Sequence, residues 1–248
     1  MVPTIKAEVR KLLTVRSTYV ITALSLALVI FFSFYISGWR ADALTLHNPG
    51  AAASAVTGAV GVVSVFAALV AVLLCTHEYR YSTIMYTLTA SNSRSKVLLA
   101  KLLVITAFSV VFTLIMGVCA PLMAYLGMSA HHLTLVAQTV HVWDVAWRTL
   151  FYGWGYGMAG LLLAFLIRSQ IGTIATLFIA PNTVEAVLSL LLKKNAVYLP
   201  FTSLDQVLNL GTLGGGSLTP THAAEIFLLY LAVGWAIAWF LLLRRDAN

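Results

Sequence analysis

Six apolar runs, each about as long as a bilayer is thick, dominate this sequence, at roughly 17–38, 52–75, 97–127, 149–167, 171–192 and 223–243. A helix rising 1.5 Å per residue needs about 20 such residues to cross the hydrocarbon core. Soluble domains carry roughly 25% charged residues, whereas only 9% of these 248 residues are charged. The expected fold is therefore an all-α integral membrane protein with six transmembrane helices. Residues 1–248 read as a single membrane domain, because the segments between the runs are too short for a soluble enzyme unit. The first run is not followed by a small-residue cleavage site, so it reads as a retained span.

Topology follows from the short-loop cations, because cytoplasmic loops are enriched in Lys and Arg. With the N-terminus inside, the cytoplasmic side holds Lys6, Arg10, Lys11, Arg16, Arg80, Arg94, Lys96, Lys101, Arg168, Arg244 and Arg245. The outer side holds only Arg40, Arg148, Lys193 and Lys194. Both termini are expected in the cytoplasm. The net charge of +7 is spent at the ends of apolar runs, which fits lipid headgroups and a multi-pass cell membrane protein, and no nucleic acid. Before the first span, residues about 3–16 place Ile5, Val9, Leu12 and Leu13 on one helical face. That stripe predicts an amphipathic helix lying in the membrane plane, with Pro3 tolerated at its start.

Catalytic signatures are missing. There is no phosphate-binding G-x-x-x-x-G-K-[ST], no H-E-x-x-H and no G-x-S-x-G. The eight acids, Glu8, Asp42, Glu78, Asp144, Glu185, Asp205, Glu225 and Asp246, are scattered singly, which offers no paired-carboxylate chemistry. His47, His131, His132, His141 and His222 fall in outer loops at spacings that match no metal template. Cys75 and Cys119 read as free thiols in apolar surroundings. No catalytic or metal residue is assigned, and the chain is expected to be no enzyme by itself. Glu185 stands out because it lies inside the fifth run. It is either a substrate-path residue, as intramembrane carboxylates often are, or, on a helix made irregular by Pro181 and Asn182, a group in an external vestibule or paired with a residue such as Arg148. Small residues at Gly153 and Gly157, at Ser54 and Gly58, and at Ala55 and Ala59 suit close helix packing. Ser203-x-x-Gln206 reads as a capping box for a short outer helix.

Between the second and third runs lies THEYRYSTIMYTLTASNSRSKVLLAK, Thr76 to Lys101, far more polar than a simple turn requires. Read as a helix from about His77, it places Tyr81, Ile84, Met85 and Leu88 near one face. The mixture of aromatic, apolar and charged residues suits a surface that docks a cytoplasmic partner. Glu78-Tyr-Arg80-Tyr-Ser-Thr83, Leu88-Thr-Ala-Ser91, Arg94 and the run KVLLAKLL over 96–103 resemble the type-two permease family of ATP-binding cassette (ABC) transporters. Those permeases show an E-x-R-x-G-T-like segment here, and Ser82 stands where glycine is common. The order of the basic first helix, six spans, the tight hairpin at Arg168-Ser169-Gln170 and the closing LLRRDA extends the likeness over nearly the whole chain.

The resemblance implies a permease subunit that pairs with itself or a paralogue and binds two cytoplasmic ABC ATPase subunits. ATP and Mg would sit on those partners, and this chain would bind no cofactor. Residues about 76–96 would carry the cytoplasmic coupling helix, with Glu78, Tyr79, Arg80, Tyr81, Thr83, Ile84 and Leu88 as docking and coupling residues. Export of a hydrophobic or amphipathic compound (a lipid, drug, peptide or antibiotic) fits spans nearly free of charge. Two other classes remain open: an ion-coupled secondary transporter, which calls for several buried charges, and a non-transporting membrane scaffold or sensor.

Overall fold

Backbone polar groups surrounded by hydrocarbon must be paired within their own segment, so apolar runs of this length fold as helices. The computed structural model describes residues 2–40, 49–91, 93–131, 142–208 and 218–244. Among them no strand occurs, and the α-helices in chain order are α1 (Val2–Thr14), α2 (Arg16–Tyr35), α3 (Pro49–Arg80), α4 (Ile84–Ser91), α5 (Arg94–Ala130), α6 (Val142–Ile167), α7 (Gln170–Ile179), α8 (Glu185–Leu192), α9 (Pro200–Leu208) and α10 (Pro220–Arg244). Among the described residues six stretches are long and apolar enough to cross a membrane: Arg16–Trp39, Val60–Arg80, Arg94–Ala130, Trp143–Ile167, Gln170–Tyr198 and Pro220–Leu242. The protein is an all-α integral membrane protein.

The second and fourth spans form the centre. In each, 61% of the apolar window is buried, against 11% in the fifth. Small residues permit this packing. A Cβ added at Gly160 would meet the Ala68 carbonyl oxygen at 2.8 Å, and one at Gly153 or Gly157 would run into the side chains of Thr113 and Ser109 on α5. The Gly153/Gly157 face thus packs within the chain. The side chains of Ser54, Ala55, Gly58 and Ala59 lie outside the described residues. The core that results includes Ala68, Cys75, Ile105, Leu161 and Leu204.

Local features in part depart from the sequence expectation and in part follow it. The stripe of α1 divides: Ile5 and Leu12 pack toward the core, while Val9 and Leu13 are exposed and Glu8 is fully buried. α5 continues through Pro121 without a break over 37 residues, roughly 55 Å at 1.5 Å per residue. The fifth run is interrupted by a π-helical turn, Ala180–Val184, at the Pro181-Asn182 pair where the sequence marks an irregular helix. Pro181 cannot donate to the helix ladder there, and the Asn182 side-chain amide donates to the Phe178 carbonyl at 3.0 Å. The helix expected from His77 onward is divided as well. α3 ends at Arg80, and α4 starts afresh at Ile84.

Candidate functional site

Where α1, the last turn of α3, α4 and the first turns of α5 meet, two acids and two lysines close into a ring. Lys101 lies seven residues, about 10 Å, into α5 and is fully buried. Its Nζ donates to Glu8 Oε2 at 2.8 Å and forms an ion pair with Glu78 Oε2 at 3.2 Å. On the other side, Lys11 Nζ donates to Glu8 Oε1 at 2.7 Å and to Glu78 Oε1. Each carboxylate therefore gives one oxygen to each lysine, and the four formal charges cancel. Thr87 of α4 joins the ring, accepting from Lys11 at 3.3 Å and donating to Glu78 Oε1 at 3.4 Å. Burial alone would raise the Glu8 carboxyl, but Lys101 and Lys11 more than offset it and hold the group below its ordinary value of 4.5. Neutralisation in pairs is what makes these charges tolerable away from water.

The turn that follows is built on this ring. Tyr81 N–H donates to His77 O at 3.0 Å, Ser82 N–H to Tyr79 O at 3.3 Å and Thr83 N–H to Glu78 O at 2.9 Å. Ser82 takes φ 54°, a left-handed conformation that glycine adopts at less cost than any side chain. That accounts for the glycine common at this position in the resembling family, and serine adopts the same kind of turn here. A cleft of about 440 Å³ opens beside it, lined among others by Lys11, Val15, Leu74, Glu78, Tyr86 and Thr87.

Of the seven residues singled out in this segment, the six whose side chains are described divide into two groups. Glu78 and Ile84 point inward, at 5% and 4% exposure, and Tyr79 packs partly buried against the core beneath the Arg168 guanidinium, 5.5 Å from its ring. Arg80 is exposed and spans to the α6–α7 hairpin, its Nη1 donating to Gln170 Oε1 at 3.1 Å. Tyr81 and Thr83 face outward, together with Met85 and Tyr86, which the docking assignment omitted. The Leu88 side chain lies outside the described residues. Glu8, Lys11, Thr87 and Lys101 were also missed. The signal for Lys101 was available, since it falls inside an apolar run, where a charge calls for a partner.

Glu185 has a different setting. Its Oε1 accepts from Phe201 N–H at 2.8 Å, and its Oε2 accepts from Thr202 N–H at 2.6 Å and the Thr202 hydroxyl at 2.7 Å. It thus caps α9, where the first N–H groups have no partner in their own helix. Pro200 occupies the first position of that helix, so Ser203 lies inside it rather than at its cap, and its hydroxyl donates to Pro200 O at 2.8 Å. Arg148 pairs with Asp144. His131 stacks edge-on with Trp39 at 4.2 Å, and His222 lies 3.2 Å from Glu225. His47, His132 and His141 lie outside the described residues.

A family profile described as ABC-2 family transporter protein matches residues 4–190, about three quarters of the chain. The chain belongs to this family. It is a multi-pass membrane permease subunit of an ABC transporter, and the matched region holds the whole ring, the turn and Glu185 but stops short of α9. Among curated proteins none matches the chain.

Proposed function

We propose that this permease exports a hydrophobic or amphipathic compound, using ATP hydrolysed with Mg by two separate ABC ATPase subunits docked at α4. Family membership supports a partner ATPase. The observation that carries the docking reading is the division of the Glu78–Thr89 segment into an anchored side and an offered side. Tyr81, Met85 and Tyr86 are 63%, 48% and 76% exposed beside a segment held from within. Aromatic and methionine side chains of this kind are enriched where proteins bind each other. In this reading Glu78, Tyr79 and Ile84 hold the coupling segment from inside, while Tyr81 and Thr83 meet the partner, with Leu88 on the same short helix. Arg80 links the segment to the neighbouring hairpin.

The charge asymmetry of the short loops supports an inner-membrane permease with both termini and α4 in the cytoplasm. The likeness to dimeric permeases supports a second permease subunit, and the fifth span, with 11% of its apolar window buried within the chain, leaves it a face to cover. Glu185 serves this reading as a structural cap rather than as a path residue.

The test is purification of the full chain with its native partners. Wild-type protein is expected to retain an ATPase subunit, and Tyr81→Ala/Tyr86→Ala to retain at least tenfold less while keeping its thermal stability. Equal retention by the double variant would remove α4 as the docking surface, and absence of any ATPase from the wild type would remove the ATP-driven reading.

A further inference from the structure

Hydrophobic side chains would hold α1, α3 and α5 together at least as well as buried ions do, since replacing a buried ion pair with apolar residues is often neutral or stabilising. The ring therefore needs a reason beyond adhesion, and its connectivity suggests one. Both oxygens of Glu8 and both oxygens of Glu78 are committed to different lysines. No segment can slide past another without opening an ion pair. A leucine contact permits such sliding, and an alternating ring does not.

The ring also has a dry corner and a wet one. The Lys101 and Glu8 side chains are 0% and 1% exposed, while Lys11 is 35% exposed. On the dry side Lys101 also donates to the Leu74 carbonyl at 3.4 Å, and Leu98, Cys75 and Ile105 close the surrounding core. Close-packed interiors shift between discrete arrangements rather than deform smoothly. On the wet side, Lys11, Glu78 and Thr87 line the 440 Å³ cleft, which leaves room for α4 to move. Thr87 grips the ring from α4, Lys101 leads from it into the whole length of α5, and Glu8 leads into α1.

We propose that Lys101 and Glu8 are positioning residues through which the Glu8–Lys11–Glu78–Lys101 ring passes a displacement of α4 to α1 and to the far end of α5. The wet corner yields when α4 shifts, and the dry corner keeps α1, α3 and α5 in register so that the shift is conveyed. This inference rests on the reading of α4 as the ATPase contact.

The test needs no knowledge of the cargo. Ser129, exposed in the last turn of α5, lies about 40 Å along the helix from Lys101. Ser129→Cys in a Cys119→Ser background, assembled with the ATPase subunits in lipid nanodiscs, is labelled with a water-soluble maleimide with and without ATP plus vanadate. The expected result is a labelling rate that changes at least fivefold with nucleotide. Glu8→Gln/Lys101→Met removes one charge of each sign and leaves Lys11 paired with Glu78. It is expected to keep the ATPase and its hydrolysis while the nucleotide-driven change falls below twofold. Where that pair fails to fold, Glu8→Gln alone keeps one acceptor oxygen of the two that Lys11 and Lys101 use and is expected to at least halve the response. A wild-type-sized response in the folded variant overturns the inference, as does a wild type whose labelling ignores nucleotide. A wild type without any co-purifying ATPase overturns the docking reading itself, and this inference with it.

Discussion

Glu8 and Glu78 near one end of the helices and Glu185 toward the other are all hidden from solvent, yet different partners meet their charges. The first two are met by lysine ammonium groups, with Glu8 and Lys101 93 residues apart and Lys11 and Glu78 67 apart. Glu185 is met by backbone N–H groups only 16 and 17 residues further on. An ammonium partner ties distant segments and fails when either charge is lost. A helix N-terminus offers fixed dipoles that remain whatever the neighbouring side chains are. The ring is therefore a connection between helices, whereas the Glu185 contact is a local closure of one outer helix.

The largest break in this comparison comes from Lys101→Met. It strands two buried carboxylates with only the half-exposed Lys11, at an expected cost of about 3–5 kcal/mol, read as a fall in thermal midpoint of the purified chain in detergent. A fall no larger than that of a surface substitution would mean the ring bears little load. Next comes Glu185→Gln, which keeps an acceptor oxygen and loses the charge. It should cost about 1–2 kcal/mol and leave ATP hydrolysis by the assembled complex unchanged. Lost hydrolysis at an unchanged midpoint would turn Glu185 from a cap into part of the transport path.

Acid titration sharpens the same contrast. Because the folded protein holds Glu8 below its ordinary 4.5, its contribution to stability is fully present above that value and disappears as pH falls through the depressed one. The gap in thermal midpoint between wild type and Glu8→Gln should be constant near neutral pH and close in acid. A gap that widens in acid would reverse the assigned sign. The smallest effect is expected at Ser82→Gly, which relieves a left-handed serine at the cost of a more flexible unfolded chain, a net gain of about 0.5 kcal/mol in chemical denaturation. Destabilisation would show that the Ser82 side chain contributes something the turn needs.

The spans were legible because apolar length is a local property, and a bilayer leaves few other ways to satisfy the backbone. The turn at Ser82 was half legible: the family pattern marked the position, while its positive φ emerged only from the folded backbone. The pairing within the ring was not legible, although Lys101 inside an apolar run called for some partner. Periodicity compares residues a turn or two apart and is silent about partners 67 or 93 positions away, so Glu8 read as a stray acid and Lys101 as one more topology-setting cation. The Ser203 cap failed for a related reason. The group that closes α9 arrives from another helix, and no capping pattern within the segment can announce it.

Glu185 lies inside the stretch shared with the family, and the helix it closes lies beyond residue 190. The family boundary therefore cuts through a physical unit. A chimera that grafts the outer segment of another permease onto this one at that boundary would keep the carboxylate and discard the amides it was placed to receive. Exchangeable pieces of this protein have to be divided either before α8 or after α9, with the acid and its helix travelling together.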